Sequence, residues 1–174
     1  KVTKATTSKR ASMDFKNLSF GKIFTDHMLV AKYSNGSWQS PEIVPYGPIS
    51  FDPSMATIHY GQSIFEGIKA YRLKTGVEAI FRPYDNFKRF NKSASRMEMP
   101  SVPEDIFIGG MKQLLQLEAA WIPEEYDHSL YIRPFMFATD EVIGVNPSTT
   151  YTFMIILSPV GPYYAAPMKI YVEE

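Results

Sequence analysis

The chain has 174 residues, 45% hydrophobic and 21% charged, a globular composition sufficient for one well-cored domain or a domain with a tail. Its 18 basic and 18 acidic side chains cancel, so it lacks the cationic footprint that nucleic-acid binding needs. The absence of cysteine excludes disulfides and thiolate chemistry and fits a reducing cytoplasm, while no apolar run is long enough to span a membrane and no secretion signal opens the chain.

Residues 1–14 are polar, without hydrophobic period, and are expected to form a flexible N-terminal arm. Residues 24–33 have strand-like apolar density, Asn35-Gly36 signals a hairpin turn, and Trp38 to Val44 is expected as the returning strand. Pro45, Pro48 and Pro53 punctuate a loop. Residues 66–72 and 77–82 are predicted strands joined at Lys74-Thr75-Gly76.

After Pro83 the period becomes helical, with Phe87, Phe90, Ala94 and Met97 on one face. A second helix is predicted from about Glu104 to Trp121, opened by Pro103 and two acids. Strands are expected at 129–138 and 151–158, and MKIYVEE at 168–174 is expected to begin another. Hairpins and helices in separate blocks predict an α+β fold, with antiparallel strands and two main helices in a small domain over 15–164. Residues 165–174 are expected to be an interdomain segment leading into a C-terminal domain.

The chemistry-bearing residues are few. His27, His59 and His128 are scattered, lack metal-ligand spacing and are expected to be structural or surface residues, so no metal site is predicted. There is no P-loop, no G-x-G-x-x-G and no G-x-S-x-G. Charged groups in apolar surroundings are more informative. Glu66 and Lys69 flank Gly67 in SIFEGIKAY, Arg89 lies between Phe87 and Phe90, and Arg133 sits mid-strand in LYIRPFMF. An arginine there requires an anion, either a structural partner such as Glu66, Asp140 or Glu141, or a carboxylate or phosphate ligand. Pro134 limits ladder pairing and suggests that Arg133 lies on an edge or at a bulge.

Six runs, FGKIFTDHML (20–29), IHYGQSIFEGIKAYR (58–72), IFRPYDNFKRF (80–90), SLYIRPF (129–135), GVNPS (144–148) and SPVGPYY (158–164), resemble the branched-chain amino-acid aminotransferases of the fold-type IV pyridoxal-phosphate enzymes. They stand in the family order and cover nearly the whole chain from Phe15 onward. The resemblance implies transamination of leucine, isoleucine and valine with 2-oxoglutarate through pyridoxal 5'-phosphate in a ping-pong cycle, with 2-oxo acids and glutamate as the other reactants, in a cytoplasmic homodimer. It assigns Arg89 to the cofactor phosphate and Tyr60 to the pocket near cofactor and substrate. Phe20, Phe65, Tyr131 and Tyr163 line the wall around a branched side chain, and Arg133 serves an acidic substrate carboxylate. Val145 lies in a loop offered to the partner subunit's pocket.

The family's Schiff-base lysine stands in a run resembling K-x-G-G-N-Y, which this sequence lacks. Lys69 and Lys169 do not match its context, so the lysine is expected beyond Glu174 and residues 1–174 are expected to be inactive alone. Other fold-type IV enzymes, such as D-amino-acid aminotransferase or aminodeoxychorismate lyase, share the architecture, but FTDHML and SLYIRPF argue against them. A non-catalytic dimerisation domain is the alternative from another class.

Overall fold

A computed structural model describes residues 1–163 and 168–173. Its centre is an antiparallel sheet of eight strands in the order β2-β1-β8-β7-β5-β6, with β3 also on β1 and β4 also on β7. The longest strands, β7 (Ser129–Ala138) and β8 (Tyr151–Val160), pair along their full length. β1 (His27–Ser34) lies on the other side of β8. The α+β expectation with antiparallel strands therefore holds.

Local chemistry explains most strand boundaries. Asn35 and Gly36 both take positive φ, 52° and 74°, which matches the turn to the twist of its strands. The expected return strand is split into β2 (Ser37–Trp38) and β3 (Glu42–Pro45), both paired with β1. Pro41, which has no N–H to donate, lies in the gap. β5 (Ile68–Arg72) and β6 (Glu78–Ile80) form the expected hairpin, turned through Gly76 at φ 82°. A short strand, β4 (Ser63–Phe65), and a short helix, α1 (Ala56–Tyr60), were not predicted.

One face of the sheet is covered. On β7 the buried residues Leu130, Ile132, Met136 and Ala138 alternate with Tyr131, Arg133, Phe135 and Phe137, which are only partly covered. Helix α2 (Pro83–Arg96) lays Phe90 and Ala94 into this core, with Pro83 in its first turn. Met97 lies just past the helix end and is 39% exposed, so it does not share the expected buried face. The second predicted helix is a π-helical turn (Asp105–Gly109), then α3 (Gly110–Leu117), then a 3-10 turn (Ala119–Trp121). Gly109-Gly110 weakens continuous helix, and Gly110 admits close packing, since a Cβ there would come within 2.5 Å of Leu29 Cδ1. Residues 168–173 form no strand, against expectation, and the boundary expected at 164–165 lies outside the described residues.

Residues 1–14 lie along the body. Val2 bridges to Ile43, Ala5 N–H donates to His27 Nε2 at 2.8 Å, and Ser8 Oγ and Lys9 N–H donate to Asp26 at 2.5 and 2.9 Å. Beneath this contact is a closed polar network. His27 Nδ1 is hydrogen-bonded to the Glu118 carboxylate, Asp26 N–H donates to Glu118 at 3.2 Å, and Trp121 Nε1 donates to Asp26 at 3.1 Å. Thus His27 is a buried structural histidine. No helix among the described residues is long and apolar enough to cross a membrane.

Candidate active site

The partly covered face of β7 carries the first cluster. Strand alternation puts Tyr131 and Arg133 on the same side, and Arg133 donates to the Tyr131 hydroxyl from Nη2 at 2.7 Å and from Nε at 3.3 Å. The Arg133 guanidinium lies 4.4 Å from the centre of the Phe65 ring, a cation–π contact from β4. Phe20 packs edge-on against Tyr131 at 5.0 Å and against Tyr163 at 4.9 Å. The structure therefore gathers five residues singled out in the sequence: Phe20, Phe65, Tyr131, Arg133 and Tyr163.

Arg133 makes no salt bridge among the described residues, so Glu66, Asp140 and Glu141 are not its structural anions. Asp140 instead accepts from Thr149 and Thr150, closing the loop between β7 and β8. Nor is Arg133 on a sheet edge, because β7 lies between β8 and the β4/β5 pair. The proline after it acts differently from expectation. Pro134 accepts a 2.8 Å hydrogen bond from Glu66 N–H but cannot donate one back. The register is unbroken, Phe65 facing Phe135 and Ile68 facing Ile132, while strand pairing lapses at Glu66-Gly67.

The second cluster forms at that lapse. Glu66 is in phase with buried Ile64, Ile68 and Ala70 and is 6% exposed. Its carboxylate accepts from Arg89 Nε at 2.5 Å and Nη2 at 2.7 Å, from Asn86 Nδ2 at 2.9 Å, and from Gly67 N–H at 3.3 Å. Burial opposes its ionisation, but the Arg89 and Asn86 hydrogen bonds outweigh burial and hold the carboxyl below its usual range. Asn86 and Arg89 are three residues apart on α2, which aligns them on one face. Sequence reading missed Asn86 and assigned Glu66 only as a possible partner of Arg133. The available signal was an acid in the buried phase of an apolar strand.

A cavity of about 420 Å³, within the range of small-molecule pockets, joins the two clusters. Three cations, Lys69, Arg82 and Arg89, and one carboxylate, Asp85, line it together with Gly67 and Tyr131. Gly67 is required there, because a Cβ would approach the Tyr131 hydroxyl to 2.5 Å. A larger groove of about 510 Å³ elsewhere offers Lys32 against Asp52 and Glu141, a poorer lining for an anion.

Two expected site residues stand outside these clusters. Tyr60 ends α1, 40% exposed, with its ring beside His59. Val145 is 85% exposed in the loop between β7 and β8. Their segments are tied together: Ala56 N–H donates to Asp140 O at 2.8 Å, and Ser148 N–H to Gln62 Oε1 at 3.3 Å.

No family model matches the chain. Over 166 residues it is 49% identical to the branched-chain-amino-acid transaminase 1 of Bacillus subtilis, covering 92% of this chain and 47% of that protein. A probable branched-chain-amino-acid aminotransferase of Staphylococcus aureus is 52% identical over 166 residues, covering 92% and 46%. The chain thus spans about half the length of the curated relatives it matches. Among solved structures, the branched-chain amino acid aminotransferase of Escherichia coli superposes with a TM-score of 0.57 and 26% identity, over 78% of this chain and 40% of that one. A second bacterial branched-chain amino acid aminotransferase, solved with pyridoxamine 5'-phosphate, gives a TM-score of 0.57 at 28% identity, over 78% and 41%.

Proposed function

Because the chain belongs by sequence with the N-terminal portion of the branched-chain aminotransferases, we propose that it supplies the phosphate clamp and side-chain pocket of such an enzyme. The full-length protein exchanges the amino group of leucine, isoleucine or valine with 2-oxoglutarate in a ping-pong cycle, as a cytoplasmic homodimer. The observation that carries this reading is Tyr131, which both lines the cationic cavity of Arg89 and accepts the hydrogen bond of Arg133.

Pyridoxal 5'-phosphate, when bound, supplies an electron sink for charge developing at the substrate Cα. The residues present fit its phosphate: Arg89 spends one edge of its guanidinium on Glu66, its side chain stays 66% exposed, and Lys69 and Arg82 share the cavity. Phe20, Phe65, Tyr131 and Tyr163 exclude water and accept a branched side chain. Arg133 and the Tyr131 hydroxyl offer donors to the second carboxylate of glutamate, so one pocket serves both an apolar and an acidic substrate. Tyr60 lies near cofactor and substrate in the assembled enzyme, and Val145 enters the pocket of a second subunit. The lysine that holds the cofactor and moves the Cα proton is supplied beyond Glu174. Residues 1–14 are an arm, 15–164 the small domain and 165–174 the lead into the next.

The test is turnover by the full-length protein. Leucine with 2-oxoglutarate is expected to yield glutamate, and D-alanine is expected to yield none. With pyridoxal phosphate and borohydride, the full-length protein should trap a lysine adduct that residues 1–174 do not. Turnover of D-alanine alone, or a stoichiometric adduct on Lys69 or Lys169, overturns the reading.

A further inference from the structure

A guanidinium presents two edges on which a pair of parallel hydrogen bonds can form: the side edge, Nε with Nη2, and the end, Nη1 with Nη2. Arg89 spends its side edge on Glu66, at 2.5 and 2.7 Å. Among the described residues Nη1 makes no hydrogen bond, and the Arg89 side chain is 66% exposed while that of Glu66 is 6% exposed. The pair is therefore asymmetric. The carboxylate is sealed against the sheet and held by Asn86 and Gly67 N–H, and the guanidinium turns outward from it into the cavity shared with Lys69 and Arg82.

Resting on the phosphate reading of Arg89, we infer that Glu66, braced by Asn86, is the positioning residue that fixes the Arg89 guanidinium by its side edge and presents the other edge to the cofactor phosphate. The interrupted ladder at Glu66-Gly67 is what allows this. A regularly paired strand would commit both residues to β7, whereas here Glu66 keeps one backbone bond, to Pro134, and its carboxylate meets α2. An arginine on a helix surface otherwise samples many rotamers, and a fixed one loses less freedom when a ligand arrives.

The experiment uses the full-length apoenzyme, titrated with pyridoxal phosphate and, separately, with pyridoxal, which lacks the phosphate. Glu66→Gln keeps the shape but removes the charge. It is expected to weaken pyridoxal phosphate about tenfold or more and to leave pyridoxal affinity unchanged. Asn86→Ala, on a helix surface that tolerates alanine, is expected to weaken pyridoxal phosphate in the same selective way to a smaller degree. In an Arg89→Ala background, Glu66→Gln is expected to add nothing. Equal weakening of both ligands by Glu66→Gln, or no weakening while Arg89→Ala abolishes the preference for the phosphorylated form, overturns the positioning role. If Arg89→Ala itself leaves that preference intact, the phosphate reading falls, and the positioning role with it.

Discussion

Two carboxylates reach across the fold to cationic or ring-nitrogen partners, and their surroundings differ in kind. Glu118 meets His27 in a sealed pocket, where the two side chains are 2% and 9% exposed and every bond points inward. Glu66 is nearly as buried, but its partner Arg89 is 66% exposed and faces a cavity. The sealed pair can only hold the chain together: it fastens the start of β1 to the end of α3 and, through His27 Nε2 and Asp26, the N-terminal residues to both. The open pair keeps donors in reserve. Burial of the partner, rather than of the carboxylate, separates a fastening from a binding site.

Substitutions should break the two pairs differently. Glu118→Ala leaves His27 Nδ1 and Asp26 N–H buried without an acceptor and is expected to cost about 3 kcal/mol or more of stability, read as a fall in the melting temperature of the full-length protein. Cofactor affinity measured well below that temperature should be unchanged. A loss confined to cofactor binding would dissolve the distinction between the sites.

A smaller effect is expected at the hinge of the open site. Gly67→Ala pushes a methyl group toward the rigid Tyr131 ring and hydroxyl and is expected to cost about 1–2 kcal/mol. It should also raise KM for both leucine and glutamate, because Tyr131 belongs to the pocket wall and to the Arg133 hydrogen bond. Unchanged KM for both would remove Gly67 from the site.

The smallest effect is also the sharpest contrast, because the two carboxyls titrate in opposite senses. Glu66 is held below its usual range, so its contribution is fully present above about pH 4.3, the ordinary glutamate value, and is lost as pH falls through its folded value. Burial pushes Glu118 up, against the opposing His27 hydrogen bond, so its contribution is greatest in acid and fades as pH rises through its folded value. Measured against wild type, the stability penalty of Glu66→Gln should shrink toward acid and that of Glu118→Gln should shrink toward higher pH. Parallel slopes would show that both pairs titrate alike.

The features legible in the sequence are those with local causes. The Asn35-Gly36 hairpin, the helix after Pro83 and the long alternation of β7 follow from neighbours within a few residues. The cluster of Phe20, Phe65, Tyr131, Arg133 and Tyr163 comes from family resemblance, and neither spacing nor period would have collected residues so far apart. The chain's own physics left other features out of reach. β4 and α1 are three and five residues long, too short for a period to show. The Glu66–Arg89 bond joins positions 23 apart, and choosing between Arg89 and Arg133 as the partner of Glu66 required the sheet register. Pro134 suggests an edge because an interior proline usually costs a rung of the ladder; here the rung is missing and the strand is interior all the same.

That missing rung has a mechanical side. An eight-stranded sheet transmits displacement through its hydrogen bonds, so a residue gripped from both flanks can move only if its neighbours do. At Pro134 the grip is one-sided: β8 holds the strand along its full length, while toward Glu66-Gly67 a single bond remains. The fold has a built-in slip joint there, and the carboxylate that steers Arg89 can adjust by fractions of an ångström while the rest of the scaffold stays still.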